Sequence, residues 1–379
     1  MEALERLSSH LETRLVDLKD ARAQGVKIVG YPPGGFLPEE LVLAAGAIPL
    51  CLARGGDHAP VELAGRYICR WIDTFWRAQI GYGTSDDDPL YSLLDLLAVP
   101  ITDNHVRAMS DVLSYHTDIN VYPFGVPHMK EESAFDYYLD GIHSLRTWLE
   151  ELTGSEITDS ALRQAISQCN RERELFSRIS LLRQRKALPI NSRDYVALHH
   201  GSLIADKEFM ISLLESALAD LERQSPEPAN GPRLLLTGST MAAGDYTILD
   251  LIEEAGGVVV IEEFAEGLRP YWATVPEEGD PVRALAEAYF SRRVPPAWFR
   301  PATEMRRSLL KLARDFSVSG VVWYALMYRE SYEVESHIVR EMLRQEAGLP
   351  MLSLHSDYAP ADTGQMRTRL ESFIQSITG

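Results

Sequence analysis

Cysteine is scarce in this chain of 379 residues: Cys51, Cys69 and Cys169 are odd in number and far apart. That excludes a disulfide framework and leaves free thiols, or one thiol that binds something. No Walker loop, Gly-x-Ser-x-Gly elbow, His-Glu-x-x-His or Cys-x-x-Cys occurs, so serine hydrolase, zincin and structural zinc readings find no support. Basic residues are outnumbered, 37 Lys and Arg against 55 Asp and Glu, for a net charge of -18 spread along the chain. Such a balance excludes unassisted binding to nucleic acid or an anionic membrane and leaves small molecules and proteins as partners. A secretory start is missing, and no apolar window reaches the roughly 18 residues of a membrane span, so the cytoplasm is the expected compartment. What remains, 45% hydrophobic and 24% charged residues, describes a globular protein long enough for two or three domains.

Leu4, Leu7, Leu11, Leu15 and Leu18 recur at spacings of three and four, which predicts an N-terminal amphipathic helix over 1–25, packed on the body or on a partner. Val26 to Tyr31 reads as a strand closed by Pro32, Pro33, Gly34 and Gly35, and Pro38 with Glu39 opens a helix. Three times a helix ends in Ala-Gly before an apolar strand, at Ala45-Gly46, Ala255-Gly256 and Ala347-Gly348. Glycine just past a helix end is the left-handed cap, and the repetition predicts αβ units with parallel sheets. Further strands are expected at Leu96 to Ile101, Ile119 to Tyr122, Leu234 to Leu236, Val258 to Ile261, Gly320 to Tyr324 and Pro350 to Leu354. The expected organisation is α/β, with a four-stranded lobe over 26–130, a helical layer over 131–223, a linker over 224–232 rich in proline, and a second four-stranded lobe over 233–379. Ligand is expected in the cleft between the two sets of strand ends.

Two stretches at that cleft stand out. One is Tyr67, Ile68, Cys69, Arg70 and Trp71, read as an aromatic-rich helix start; the other is the strand exit Thr102, Asp103, Asn104 and His105. Gly238, Ser239 and Thr240 read as a strand-to-helix turn that either seats a phosphate or merely starts a helix. His199 and His200 are adjacent, so they face different ways on any helix and suit solvent better than a metal. Cys51 and Cys169 lie in apolar settings that fit buried, inert thiols.

The order of several motifs carries a resemblance over about residues 30–377. They are Pro38 to Leu41 with Ala44 to Gly46 and Pro49; Gly55, Gly56, Asp57; Tyr67 to Cys69; Pro100 to Arg107; Leu236 to Ser239; and Asp357, Tyr358 with Gly364, Gln365, Arg367 to Arg369, Glu371 and Phe373. Together they resemble the 2-hydroxyacyl-CoA dehydratase and benzoyl-CoA reductase subunit family, of the 2-hydroxyglutaryl-CoA dehydratase D-component type. The resemblance implies flavodoxin-like lobes, a pair of related subunits, an acyl-CoA thioester substrate and an ATP-dependent activator protein that injects a low-potential electron. It also implies a [4Fe-4S] cluster held by three cysteines, in this chain or in the partner subunit; soft thiolates suit such clusters and tune their potential.

Against the family pattern, Cys69 falls on the first ligand position, Asp103 on the second, and Arg329, next to Tyr328, on the third. Aspartate can ligate iron, whereas a guanidinium offers only donors. Three functions follow. A divergent subunit has lost part of the ligand set and leaves redox chemistry to its neighbour, with Arg329 pairing with Asp103 or holding an anion. A cluster-bearing catalytic subunit uses Cys69 and Asp103, with Tyr328 or His105, as an altered metal site. A non-catalytic bilobal protein binds a small ligand or acts as a scaffold. Asn104 belongs to the same set of cleft residues in each reading.

Overall fold

The computed structural model describes residues 2–378 except Asp86 and Ala229. Met1, Gly379 and, within the expected linker, Ala229 therefore lie outside the described residues. Among the described residues, eight strands form two all-parallel sheets of four. The first holds β1 (Ile28–Tyr31), β2 (Ile48–Cys51), β3 (Leu96–Ile101) and β4 (Val121–Gly125) in the order β2-β1-β3-β4. The second holds β5 (Arg233–Thr240), β6 (Val258–Glu266), β7 (Gly320–Leu326) and β8 (Met351–Ser356) in the order β6-β5-β7-β8. Each sheet thus starts on an inner strand, steps out, and reverses past its start, the arrangement whose crevice at the strand ends receives ligands.

Local chemistry explains the elements. The central strands β3 and β7 are near-continuous apolar runs buried along almost their whole length, as strands covered on both faces must be. Gly46, Gly256 and Gly348 all have positive φ, at 74°, 85° and 64°, so the three Ala-Gly caps are the left-handed ends the sequence indicates. Between the sheets in sequence, helices Glu132–Thr153, Asp159–Leu182, Ser192–Ser202 and Lys207–Arg223 make a helical layer. The N-terminal helix Glu2–Ala23 lays Leu7 and Leu18 into the body. Among the described residues no helix is long and apolar enough to cross a membrane.

Several expectations need correction. Gly238, Ser239 and Thr240 are not a turn but the end of β5, which continues to Thr240. Gly238 is there for close approach: a Cβ on it would lie 1.5 Å from the Tyr324 carbonyl oxygen, and the Ser239 hydroxyl accepts a hydrogen bond from the Leu326 amide at 3.0 Å. No phosphate seat exists at that position. His199 and His200 are buried, not solvated, at 0% and 4% exposure. His199 stacks on Phe176 with ring centroids 3.9 Å apart, and burial pushes its pKa well down. The 67–73 segment does not start a helix either; the helix runs Thr74–Gly83 and is capped by Asp73.

The lobes are joined along their strand ends by main chain. Arg54 and Ala243 form a parallel bridge, with the Gly55 amide donating to the Ala243 carbonyl at 2.9 Å and the Ala243 amide to the Ala53 carbonyl at 2.7 Å. Gly56, at φ 89°, permits the contact, because a Cβ there would meet the Asp245 amide nitrogen at 2.9 Å.

Candidate functional site

The site forms where β3 and β7, at matching places in their sheets, run out toward one another. After β3, Asp103 caps the helix Asn104–His116: its Oδ1 accepts from the amides of His105 at 2.8 Å and Val106 at 3.2 Å. An aspartate there meets both the unpaired amides and the positive end of the helix dipole. After β7, Tyr328 turns the chain at φ 68°, a left-handed conformation that costs a side-chain-bearing residue about 1–2 kcal/mol. Arg329 follows in the capping position of the helix Glu330–Ala347 and caps nothing.

That guanidinium instead points into the space between the lobes, where it is 2% exposed. Its Nη2 lies 3.0 Å from Asp103 Oδ2 and 2.5 Å from Glu266 Oε1, at the end of β6. Trp298 lies against the cation with its ring centroid 4.9 Å away, and Trp76 stands at 5.9 Å. Nε and Nη1 are buried and meet no hydrogen-bond partner among the described residues. Asp73, fully buried at the head of the helix Thr74–Gly83, feels the same cation. Its Oδ1 accepts from the Trp76 amide at 3.2 Å, and its Oδ2 is likewise unmatched among the described residues.

Three carboxylates therefore share one guanidinium. Burial opposes the charge of each, and the outcome depends on whether Arg329, His105 and amide hydrogen bonds together outweigh burial and the neighbouring carboxyls. For Asp103, Arg329 and His105 outweigh burial and hold the carboxyl below its usual range. For Asp73, burial wins and the pKa rises. Glu266, buried and close to Asp73 and Asp103, is pushed up to about 8 despite Arg329. Burial would lower the pKa of Arg329, but Asp103 and Glu266 drive it upward instead, so the cation is permanent.

His105 completes the cluster from the first lobe. The Asp73 amide donates to its Nδ1 at 3.1 Å, which leaves the ring proton on Nε2, aimed at Glu330 Oε2 at 2.9 Å. Of the residues singled out from sequence, the structure thus brings Asp103, His105, Tyr328 and Arg329 together. Asn104, at the start of the helix, is exposed. Cys69 is exposed on the turn before Asp73. That turn does reach the second lobe: the Thr74 amide donates to the Met327 carbonyl at 3.2 Å, and Trp71 meets Tyr328 edge-on at 5.4 Å.

An iron-sulfur cluster does not fit this donor set. Cys51 and Cys169 are buried elsewhere, and burial raises their pKa values, that of Cys51 to about 12, so neither presents a thiolate. Asp103 has spent one oxygen on its helix and the other on Arg329. Among the described residues no three His, Cys, Asp or Glu side chains converge as metal ligands.

Sequence reasoning missed Glu266, Asp73 and the two tryptophans beside the cation. Asp73 was findable, since aspartate just before an apolar run, here Phe75 and Trp76, is a favoured helix N-cap. Glu266 was not, because the run Glu262, Glu263, Phe264, Ala265, Glu266 reads as a solvated strand exit while in fact Glu262 and Glu266 are buried. Also missed was a cavity of about 130 Å³ beside β6, walled by residues 262–265, 268–273, 288–289 and 292–296 together with Gly35, Trp323 and Tyr332. None of Cys69, Asp103, Asn104, His105, Tyr328 and Arg329 lines it.

Comparison with known proteins finds a family model and several relatives. The family model described as 2-hydroxyglutaryl-CoA dehydratase, D-component, matches residues 35–377. The chain is 27% identical to YjiM of Escherichia coli strain K12, named as a candidate dehydratase subunit, over 98% of this chain and 97% of the relative. It is 22% identical to the (R)-phenyllactyl-CoA dehydratase beta subunit of Clostridium sporogenes over 95% of this chain and 94% of the relative. With one of the subunits of benzoyl-CoA reductase from Thauera aromatica it shares 25% identity over 93% of this chain and 91% of the relative.

Proposed function

We propose, from the premise that this chain belongs to the 2-hydroxyglutaryl-CoA dehydratase D-component family, that it is a divergent subunit of a dehydratase or reductase acting on CoA thioesters. In this reading it keeps the fold and the seat for a related subunit, and leaves low-potential electron chemistry to that subunit and its ATP-dependent activator. The observation that carries the reading is Arg329, buried and ion-paired with Asp103 at 3.0 Å where the family resemblance places two thiolates. A guanidinium has no lone pair for a metal, and its charge is met by Asp103, with Glu266 as a second partner at 2.5 Å, so in this reading the station ties the lobes together instead of moving electrons. His105, with its proton on Nε2, and the left-handed Tyr328 hold the two strand exits in register. The half-exposed Trp71 and Met327 beside them offer an apolar seat to the related subunit.

Iron and acid-labile sulfide, measured after anaerobic purification of this chain alone and together with its related subunit, test the reading. The isolated chain is expected to carry neither, and the pair to carry only the complement of the partner. A stoichiometric cluster in the isolated chain overturns the proposal. Calorimetry of the assembled pair with an acyl-CoA checks the substrate class separately.

A further inference from the structure

Beside β6, lined by none of Asp73, Asp103, Glu266 and Arg329, lies the cavity of about 130 Å³. Its size is close to the roughly 150 Å³ of a cavity that accepts benzene. Most of its wall is apolar or aromatic, including Phe264, Tyr271, Val294 and Trp323. Trp272, 39% exposed, stands at its rim.

Into that apolar wall is set a cation, Arg293, that no ion pair among the described residues matches. It packs over Phe36 at 4.5 Å from the ring centroid, and its Nη2 donates to the Ala265 carbonyl at 3.2 Å. Its Nη1 is buried and meets no partner among the described residues. Glu263 is the carboxyl in the same cavity that acts on it, and burial pushes Glu263 up to about 7, so near neutrality much of it is uncharged. It accepts from the Trp272 indole at 3.3 Å and forms no hydrogen bond to Arg293. A buried guanidinium nitrogen with no acceptor is costly, and an anionic oxygen is the group that best relieves it.

We infer that the cavity between β6 and residues 288–296 is a binding site for a small carboxylate with an apolar, ring-sized body, whose oxygens meet Arg293 while the body fills the aromatic wall. The electrostatics select for an anion, because the Arg293 charge in the wall meets no ion pair among the described residues and Glu263 carries less than a full negative charge near neutrality. The volume excludes anything much larger than a benzene ring from full entry. This site stands apart from the reading of Arg329 above, shares none of its argument, and its failure leaves that reading unaffected.

Benzoate, titrated into the full chain by calorimetry with benzyl alcohol as the neutral counterpart, tests the assignment. Benzoate is expected to bind saturably and at least about tenfold more tightly than the alcohol, and Arg293→Gln to remove that preference. Ala288→Phe, which grows into the cavity from its wall, is expected to abolish benzoate binding in a protein of unchanged circular dichroism, and supplies the test if Arg293→Gln does not fold. Absence of saturable heat with benzoate, equal affinity for acid and alcohol, or benzoate binding unaffected by Ala288→Phe would each overturn the assignment.

Discussion

Asp103 and Arg329 occupy the same station in two similarly wound sheets, the first residue of the helix boundary after the third strand in chain order. Only one of them suits that station on local grounds. Asp103 accepts two amide hydrogen bonds and sits favourably at a positive helix end. Arg329 makes no cap, places a cation at the same kind of end, and follows a residue held at positive φ. The difference shows that the second lobe gives up local helix stability to reach across to the first. What holds Arg329 there is the pair of carboxyl groups facing it, not the helix it precedes.

Replacing Arg329 by serine attacks that comparison most strongly. Serine would improve the cap by about 1 kcal/mol, while removing the cation shared by buried Asp73, Asp103 and Glu266 costs about 3–5 kcal/mol. Chemical denaturation of Arg329→Ser is therefore expected to show a net loss of about 2–4 kcal/mol, and a gain would mean that the cap outweighs the ion pairs. Glu266→Gln probes the second partner through pH. The folded pKa of Glu266, about 8, lies above its ordinary 4.5, so across that window the folded state keeps a proton that the unfolded chain releases. Wild-type stability should then fall as pH rises from 4.5 towards 8, by at most about 1.4 kcal/mol per pH unit from this group. The glutamine variant is expected to lose that slope and to gain on wild type as pH increases; parallel stability curves would show Glu266 ionised throughout. Asp103→Asn sharpens the contrast at smaller scale, because asparagine caps as well as aspartate but carries no charge. Its expected cost is about 1–2 kcal/mol in thermal or chemical unfolding, with Asp103→Ala costing about 1 kcal/mol more for the lost cap.

Much of the architecture was legible because it rests on local signals. The Ala-Gly helix ends at Gly46, Gly256 and Gly348 and the apolar runs at β3 and β7 announce parallel αβ units without tertiary knowledge. Strand lengths in the second sheet were harder to read. β5 passes through Gly238 and Thr240, and β6 through Glu262 and Glu263, residue types that usually end a strand; Gly238 is kept by its close approach to Tyr324 and Glu262 by its buried pair with Arg183 at 2.6 Å. The same reason hid half of the site. Asp103 and Arg329 could be chosen from motif order, but Glu266 and Arg293 derive their meaning from neighbours remote in sequence, and no periodicity marks a residue whose partner lies in the other lobe.

The bridge between Arg54 and Ala243 bears on how a ligand gets in. Two main-chain hydrogen bonds at 2.7 and 2.9 Å stitch the lobes together at glycines that leave no slack, and the Arg329 cluster fastens them again nearby. A clamshell opening about a hinge would have to tear both fastenings at once. A solute bound for the cavity beside β6 would then enter past Trp272, 39% exposed in its wall, so the molecule should behave toward solutes as a vessel with a side port and not as a pair of jaws.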